Sequence, residues 1–304
     1  MAYSTPLFGI GLDSSMRAAE DTLRLAVQAD RQGLDLFSVS DHPYIAGRLD
    51  AYAFVGVALG ATNTISGFAN VTNLPARPAP MLARNVGSLN ALTGGRVVLG
   101  MGAGGLWDEI AKLGVPRLDP GTAVRAFEEA IVLVRALSGG GAPVTFDGEF
   151  YRVTDLEPGP AAAPPVWTGS NGPRSLAVTG RQADGWIPGH AADWLSKRYR
   201  ESRPIIDEAA AAAGREPGEI ATVYNLPGAI TDAPLAATRA ADGRWIGGSV
   251  DQWVEELTGA VLEHGAAGFT LFSTGGGHAD EVTLGRWAQE IAPAVREAVL
   301  KAAG

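Results

Sequence analysis

Eight short apolar runs are spread along the whole chain, and they limit the possible folds more than any other feature. They are PLFGIGL (6–12), LDLFSVS (34–40), ISGFANVTN (65–73), GRVVLGMG (95–102), PPVWTGS (164–170), ADGWIPG (183–189), IATVYNL (220–226) and AGFTLFS (267–273). Between them lie segments with apolar residues three and four apart, which predict helices over 16–33, 79–93, 121–138, 193–213, 249–264 and 280–300. Strands that are apolar throughout and alternate with helices predict a parallel sheet covered on both faces. Eight repeats predict closure into a (β/α)8 TIM barrel rather than an open doubly wound sheet. A chain of 304 residues fits one such domain, 1–304.

Two stretches exceed a minimal barrel. Residues 138–164 begin with a glycine turn, alternate with period two in VTFDGEFYRV and end in a Pro/Ala linker, the pattern of an inserted hairpin. Residues 226–249 are rich in Gly and Pro with weak periodicity, which predicts a loop or lid over the barrel mouth.

Composition then removes several functions. With 46% hydrophobic and 19% charged residues the chain has the balance of a folded domain. A net charge of -9 repels polyanions, so a nucleic-acid partner is not expected. The absence of cysteine excludes disulfides, thiolate metal sites and a cysteine nucleophile. The start MAYSTPLFGIGLD lacks a basic segment before an apolar one, and no apolar run approaches membrane-spanning length. A cytoplasmic protein with no membrane partner is the expectation.

Barrels of this kind carry their chemistry on loops at the C-terminal ends of the strands. Asp41 and His42 stand there, after the second strand. A histidine in that place can give or take a proton, tuned by the carboxylate beside it; it can equally cap a helix or pack under a loop. Asn70, Thr72 and Asn73 put polar groups at the end of the third strand, where they meet either each other and water or a ligand with several carbonyl and N–H groups. Gly100, Gly102, Gly104 and Gly105 follow on the fourth strand and permit close approach of backbone to a flat ring or an anion. Gly169 to Gly172 form a turn that opens a helix, either an ordinary turn or a phosphate site. His42, His190, His264 and His278 lack metal-ligand spacing, no G-x-S-x-G elbow occurs, and no metal is expected. His264, before Gly265, reads as the end of a helix, and His278 as part of a loop near the mouth.

In order along the chain, LFSVSDHP, ANVTNLPARPAPMLARNVGSLNALTGGRVVLGMGAGG, RAFEEAIVLVRALSGGGAPVTFDGEFYRV, PPVWTGSNGPRSLAVTGRQADGWIPG and IGGSVDQWVEELTGAVLEHGAAGFTLF resemble the landmarks of the bacterial luciferase-like superfamily of flavin- and deazaflavin-dependent oxidoreductases. The resemblance implies a barrel with insertions, a planar tricyclic cofactor across the strand ends, and a cis peptide between Asn70 and Val71 that backs the ring. It implies a homodimer and a small organic substrate. SDHP and ANVTN look closer to the branch that exchanges hydride with deazaflavin coenzyme F-420 than to the branch in which reduced FMN activates oxygen. The implied catalytic residues are His42, Asp41 and Glu109. The implied cofactor site comprises Asp41, His42, Asn70, Val71, Thr72, Asn73, Gly102, Ala103, Gly104, Gly169, Ser170, Asn171 and Gly172.

Three positions depart from the pattern. Gly105 stands where related deazaflavin enzymes carry an acid, Glu109 comes later, and Arg77 rather than histidine precedes Pro78. These departures keep two rivals in view: a non-catalytic flavin-binding barrel, and a metal-assisted hydrolase using Asp41 and His42. Tyr44, Trp107, Trp186 and Trp245 either line an apolar mouth or pack in the core.

Overall fold

The computed structural model describes residues 5–272 and 280–303. Its barrel strands are β1 (Leu7–Leu12), β2 (Leu36–Val39), β3 (Ser66–Ala69, resuming at Thr72–Asn73), β4 (Leu99–Gly102), β5 (Val166–Thr168), β6 (Gly185–Trp186), β7 (Ala221–Pro227) and β8 (Gly268–Phe272). All neighbours pair in parallel, β1 with β8 and β2, and β8 with β7. The ring continues through β6, β5 and β4. β3 closes it, pairing with β2 through its first half and with β4 through its second. The expected (β/α)8 fold is therefore the observed one.

One main helix follows each strand: α1 (Ala19–Arg31), α2 (Ala51–Gly60), α3 (Ala79–Thr93), α4 (Pro120–Ala136), α5 (Pro173–Gln182), α6 (Lys197–Ala212), α7 (Val250–His264) and α8. The last runs on through Glu281–Arg286, a π turn at Trp287–Ile291, and Ala292–Ala303. Each start has a local cause where a side chain caps it. Asp50 accepts from the amides of Tyr52 and Ala53, Asp119 from those of Gly121 and Thr122, and Ser249 closes a capping box with Gln252. α7 ends at His264 because Gly265 takes a left-handed φ of 65°.

α2 is the helix that periodicity does not reveal. Its sequence AYAFVGVALG is apolar on almost every side, so it shows no amphipathic stripe. The region 193–196 is a turn, and α6 starts later than expected, where Ser196 caps the amide of Tyr199.

The core has two layers. Leu36, Phe68, Val98, Trp167, Ile187 and Val223 fill the barrel, while a larger cluster fills the space between strands and helices. The hairpin lies in the expected insertion as an antiparallel pair, Val144–Asp147 with Arg152–Leu156. Glu129 on α4 holds its turn by accepting from the amides of Glu149 and Phe150 at 2.7 and 2.9 Å. Within 226–249, Ala229–Thr231 pairs with Gly247–Ser249. Arg239 pins that segment to Asp193 at 2.6 Å and to Glu256. This segment is anchored against α7 rather than loose.

Candidate active site

Two residues beyond the apolar layer, the barrel interior turns polar. Leu36 is followed on the same face by Ser38, Phe68 by Asn70, Val223 by Asn225 and Gly268 by Thr270, as the two-residue period of strands requires. Asn70 Nδ2 donates to Asn225 Oδ1 at 3.0 Å and to Ser38 Oγ at 3.3 Å. Thr270, in register with Asn225, is fully buried and its hydroxyl has no partner among the described residues. Asn225 joins two strands 155 residues apart in sequence. Sequence reasoning missed it, although a lone amide inside IATVYNL was a signal.

The Asn70–Val71 peptide is cis and separates the two halves of β3, as the resemblance implied. Val71 then projects toward β4 and β5. A Cβ placed on Gly102 would lie 2.8 Å from Val71 Cγ2, and one on Gly169 would lie 3.0 Å from it. These two glycines thus make room for Val71, a role different from direct approach to a ligand. Thr72 is spent on structure, since its hydroxyl pairs with the buried Tyr52 phenol at 2.7 Å. Asn73 is 7% exposed and its Oδ1 lacks a donor among the described residues.

Asp41 and His42, adjacent in sequence, take different partners. Asp41 is 2% exposed and accepts a bidentate pair from Arg77, at 2.8 Å from Nε and 2.6 Å from Nη2, and the amide of Asn73 at 2.9 Å. Arg77 also donates to Asp50, the cap of α2, at 2.8 Å, and its guanidinium lies 4.9 Å from the centre of the Tyr52 ring. The loop carrying His42 is therefore stapled to the end of β3. Arg77 was noted in the sequence only as a departure from the family pattern.

The His42 ring is half-buried, and its Nδ1 lies 2.7 Å from Tyr44 Oη. Burial lowers its pKa; the Asp41 charge raises it, and the Arg48 charge opposes Asp41. Asp41 thus acts on His42 through its field, without a hydrogen bond. The net result is a neutral imidazole near pH 7. Burial, Asp41 and Glu109 all raise the pKa of Tyr44, against a lowering influence of the Asn73 side chain. Glu109 sits on the short helix Trp107–Ala111 and is engaged by Lys112 at 2.7 and 2.8 Å. Gly104 has a φ of +97°, and Ala103 joins it to β4. A Cβ at Gly105 would meet nothing within 4 Å.

The loop after β5 is partly committed. The Gly169 amide donates to Met101 O at 3.0 Å, and the Ser170 hydroxyl accepts from Thr179 at 2.9 Å. Ser170 O accepts from the Trp186 indole at 2.9 Å, which places Trp186 in the core rather than at the mouth. Trp245 is likewise core, packed edge-on against Trp253. Asn171 accepts from Arg198, a cation with no carboxylate partner among the described residues. Gly172 caps α5. A helix N-terminus beside an unpaired arginine can hold an anion. His190 lies on β6's side of the mouth, exposed, with its ring edge-on to Phe272 at 5.6 Å. His278 falls outside the described residues.

A model described as luciferase-like monooxygenase matches residues 3–301. An F-420-dependent glucose-6-phosphate dehydrogenase of Beutenbergia cavernae is 33% identical over 178 residues, covering 56% of this chain and 52% of that protein. The chain spans about half the length of such curated relatives. Among solved structures, an F-420-dependent secondary alcohol dehydrogenase superposes with a TM-score of 0.78 at 19% identity, covering 96% of this chain and 99% of the other. An EDTA monooxygenase of Chelativorans superposes with 0.76 at 16% identity, covering 96% and 94%. At these identities the structural matches establish the shared barrel.

Proposed function

The chain belongs to the luciferase-like monooxygenase family, and from that premise we propose an oxidoreductase that exchanges hydride between coenzyme F-420 and a small organic substrate. The observation that carries this reading is the polar layer at the mouth: Asn73 Oδ1 and Thr270 Oγ1 are buried with no partner among the described residues, beside a half-buried neutral histidine. Buried polar atoms without partners are costly, and a heteroaromatic ring with N–H and C=O groups supplies both kinds of partner. The residues present therefore fit a deazaflavin. Asn70, Val71, Asn73, Ala103 and Gly104 would border the ring, with Gly102 making room for Val71 behind it, and Ser170 to Gly172 with Arg198 would take its phosphate. The cofactor supplies the hydride chemistry, and the chain supplies position and a proton.

His42 is the proton-transfer residue in this reading. Asp41 holds its loop and biases it electrostatically, and Glu109, tied to Lys112, shapes the field at Tyr44. The sequence departs from the acid-bearing pattern at Gly105, so no carboxylate replaces His42 there. The relatives' printed names support F-420 over FMN; the monooxygenase neighbour keeps reduced FMN as the second reading. We further propose a homodimer in the cytoplasm. Among the described residues no helix is long and apolar enough to cross a membrane.

The test is an absorbance assay of reduced coenzyme F-420 with a panel of small carbonyl compounds. Substrate-dependent reoxidation of the deazaflavin is expected. Turnover only with reduced FMN and oxygen would replace the reading by the monooxygenase one.

A further inference from the structure

The partner of His42 is the phenol of Tyr44, and the carboxylates close enough to act on that pair are committed elsewhere. Asp41 is saturated by Arg77 and the Asn73 amide, and Glu109 is paired with Lys112. Position 105 bears no side chain. Tyr44 Oη is 2.7 Å from Nδ1, and the rings stand 5.5 Å apart at 57°, a geometry for an in-plane hydrogen bond rather than stacking. A phenol proton pointing at Nδ1 matches the tautomer that keeps the imidazole proton on Nε2. The chain of donors then runs from Tyr44 to His42, and His42 carries its own proton on Nε2.

We propose that Tyr44 is the second proton-transfer residue of the site, forming a phenol–imidazole relay with His42. Tyr44 acts through His42 and is a positioning and relay residue. The consequence for chemistry rests on the deazaflavin reading above; the hydrogen-bond order does not. With a carbonyl substrate the bound deazaflavin would supply the hydride to carbon, and His42 would give its Nε2 proton to the oxygen as the C=O π bond breaks. Nδ1 takes the phenol proton at the same time, so His42 stays neutral and never becomes an imidazolate. Once product leaves, Nδ1 returns its proton to the phenolate and Nε2 takes one from solvent, which restores the resting tautomer. The relay lets a histidine that is neutral at rest act as an acid, which an isolated neutral imidazole cannot do at useful cost.

Two measurements test this on Tyr44→Phe. In cofactor-free protein labelled with 15N-histidine, with His42 assigned by its loss in His42→Asn, the wild type should show Nδ1 as a hydrogen-bonded acceptor and Nε2 protonated. The Nδ1 resonance should shift in Tyr44→Phe, and an unmoved resonance would overturn the relay whatever the cofactor. In turnover, the wild-type rate should be flat between pH 7 and pH 9. The Tyr44→Phe rate should fall about tenfold per pH unit there, because His42 must now be protonated to serve as acid. Parallel profiles would show that Tyr44 only packs. If the protein binds no deazaflavin, the function falls while the resonance test still decides the hydrogen bond.

Discussion

The two ends of the barrel spend their polar groups in opposite ways. At the N-terminal end Asp30, Arg96 and Arg203 are held largely by backbone groups. Asp30 accepts from the amides of Asn63, Thr64 and Ile65 at 2.8 to 2.9 Å, and Arg96 donates to the carbonyls of Leu59, Thr62, Ile65 and Thr93. Arg203 likewise ties Pro217 and Ile220 to Asp207. At the C-terminal end the buried ion pair of Asp41 with Arg77 is complete, while Asn73 Oδ1 and Thr270 Oγ1 have no partner among the described residues and His42 is hydrogen-bonded to Tyr44. Charges that close on backbone lock loops to strands, whereas unfilled polar atoms in a cleft are places for a ligand. The difference sets a locked end apart from the end where we propose the chemistry.

The strongest way to break this division is Arg77→Met. It leaves Asp41 buried without its cation, and removing one partner of a buried pair costs about 3–5 kcal/mol. Denaturant unfolding should show that loss. Because the same residue staples the His42 loop, turnover of the folded fraction should fall too. An effect on turnover alone would mean the pair is not structural.

Next in size is His42→Ala. Proton transfer by a positioned side chain contributes about a hundredfold or more, or about 3 kcal/mol of barrel-mouth chemistry. Turnover should drop by that factor, with unfolding free energy and cofactor affinity nearly unchanged. Equal turnover would remove His42 from the mechanism.

The smallest effect belongs to the opposite end. Burial alone would raise the pKa of Asp30, but the hydrogen bonds from Ile65, Asn63 and Thr64 outweigh it and bring the pKa to about 2. The folded value lies below the unfolded one, so the stabilisation is complete above pH 4 and is lost as pH falls toward 2. Partial solvent screening leaves about 2 kcal/mol at stake. Urea melts between pH 5 and pH 2 should show this loss in the wild type, and the Asp30→Asn variant should show a smaller one.

Much of the stable end was legible, and less of the chemical end. β1, β2 and β8 follow from continuous apolar runs, and α3, α4 and α7 from helical spacing with recognisable ends. α2 was hidden because a helix apolar on nearly every side has no period to read. At the mouth, strand-end position and family resemblance pointed to His42, Asn70 and Asn73. They did not identify partners, which are set by tertiary geometry. Asp41 follows Ser40 and precedes His42 in sequence, yet it binds Arg77, 36 residues away. Tyr44, read as rim or core, is the partner of His42, and the glycines at 102 and 169 serve Val71.

The measurement that tests the central claim most directly is a titration of the purified protein with coenzyme F-420 and FMN, each in both redox states, followed by tryptophan fluorescence. The account predicts tight binding of the deazaflavin and much weaker binding of FMN, with the same preference retained in His42→Ala. Selective FMN binding, or binding of neither, would contradict it.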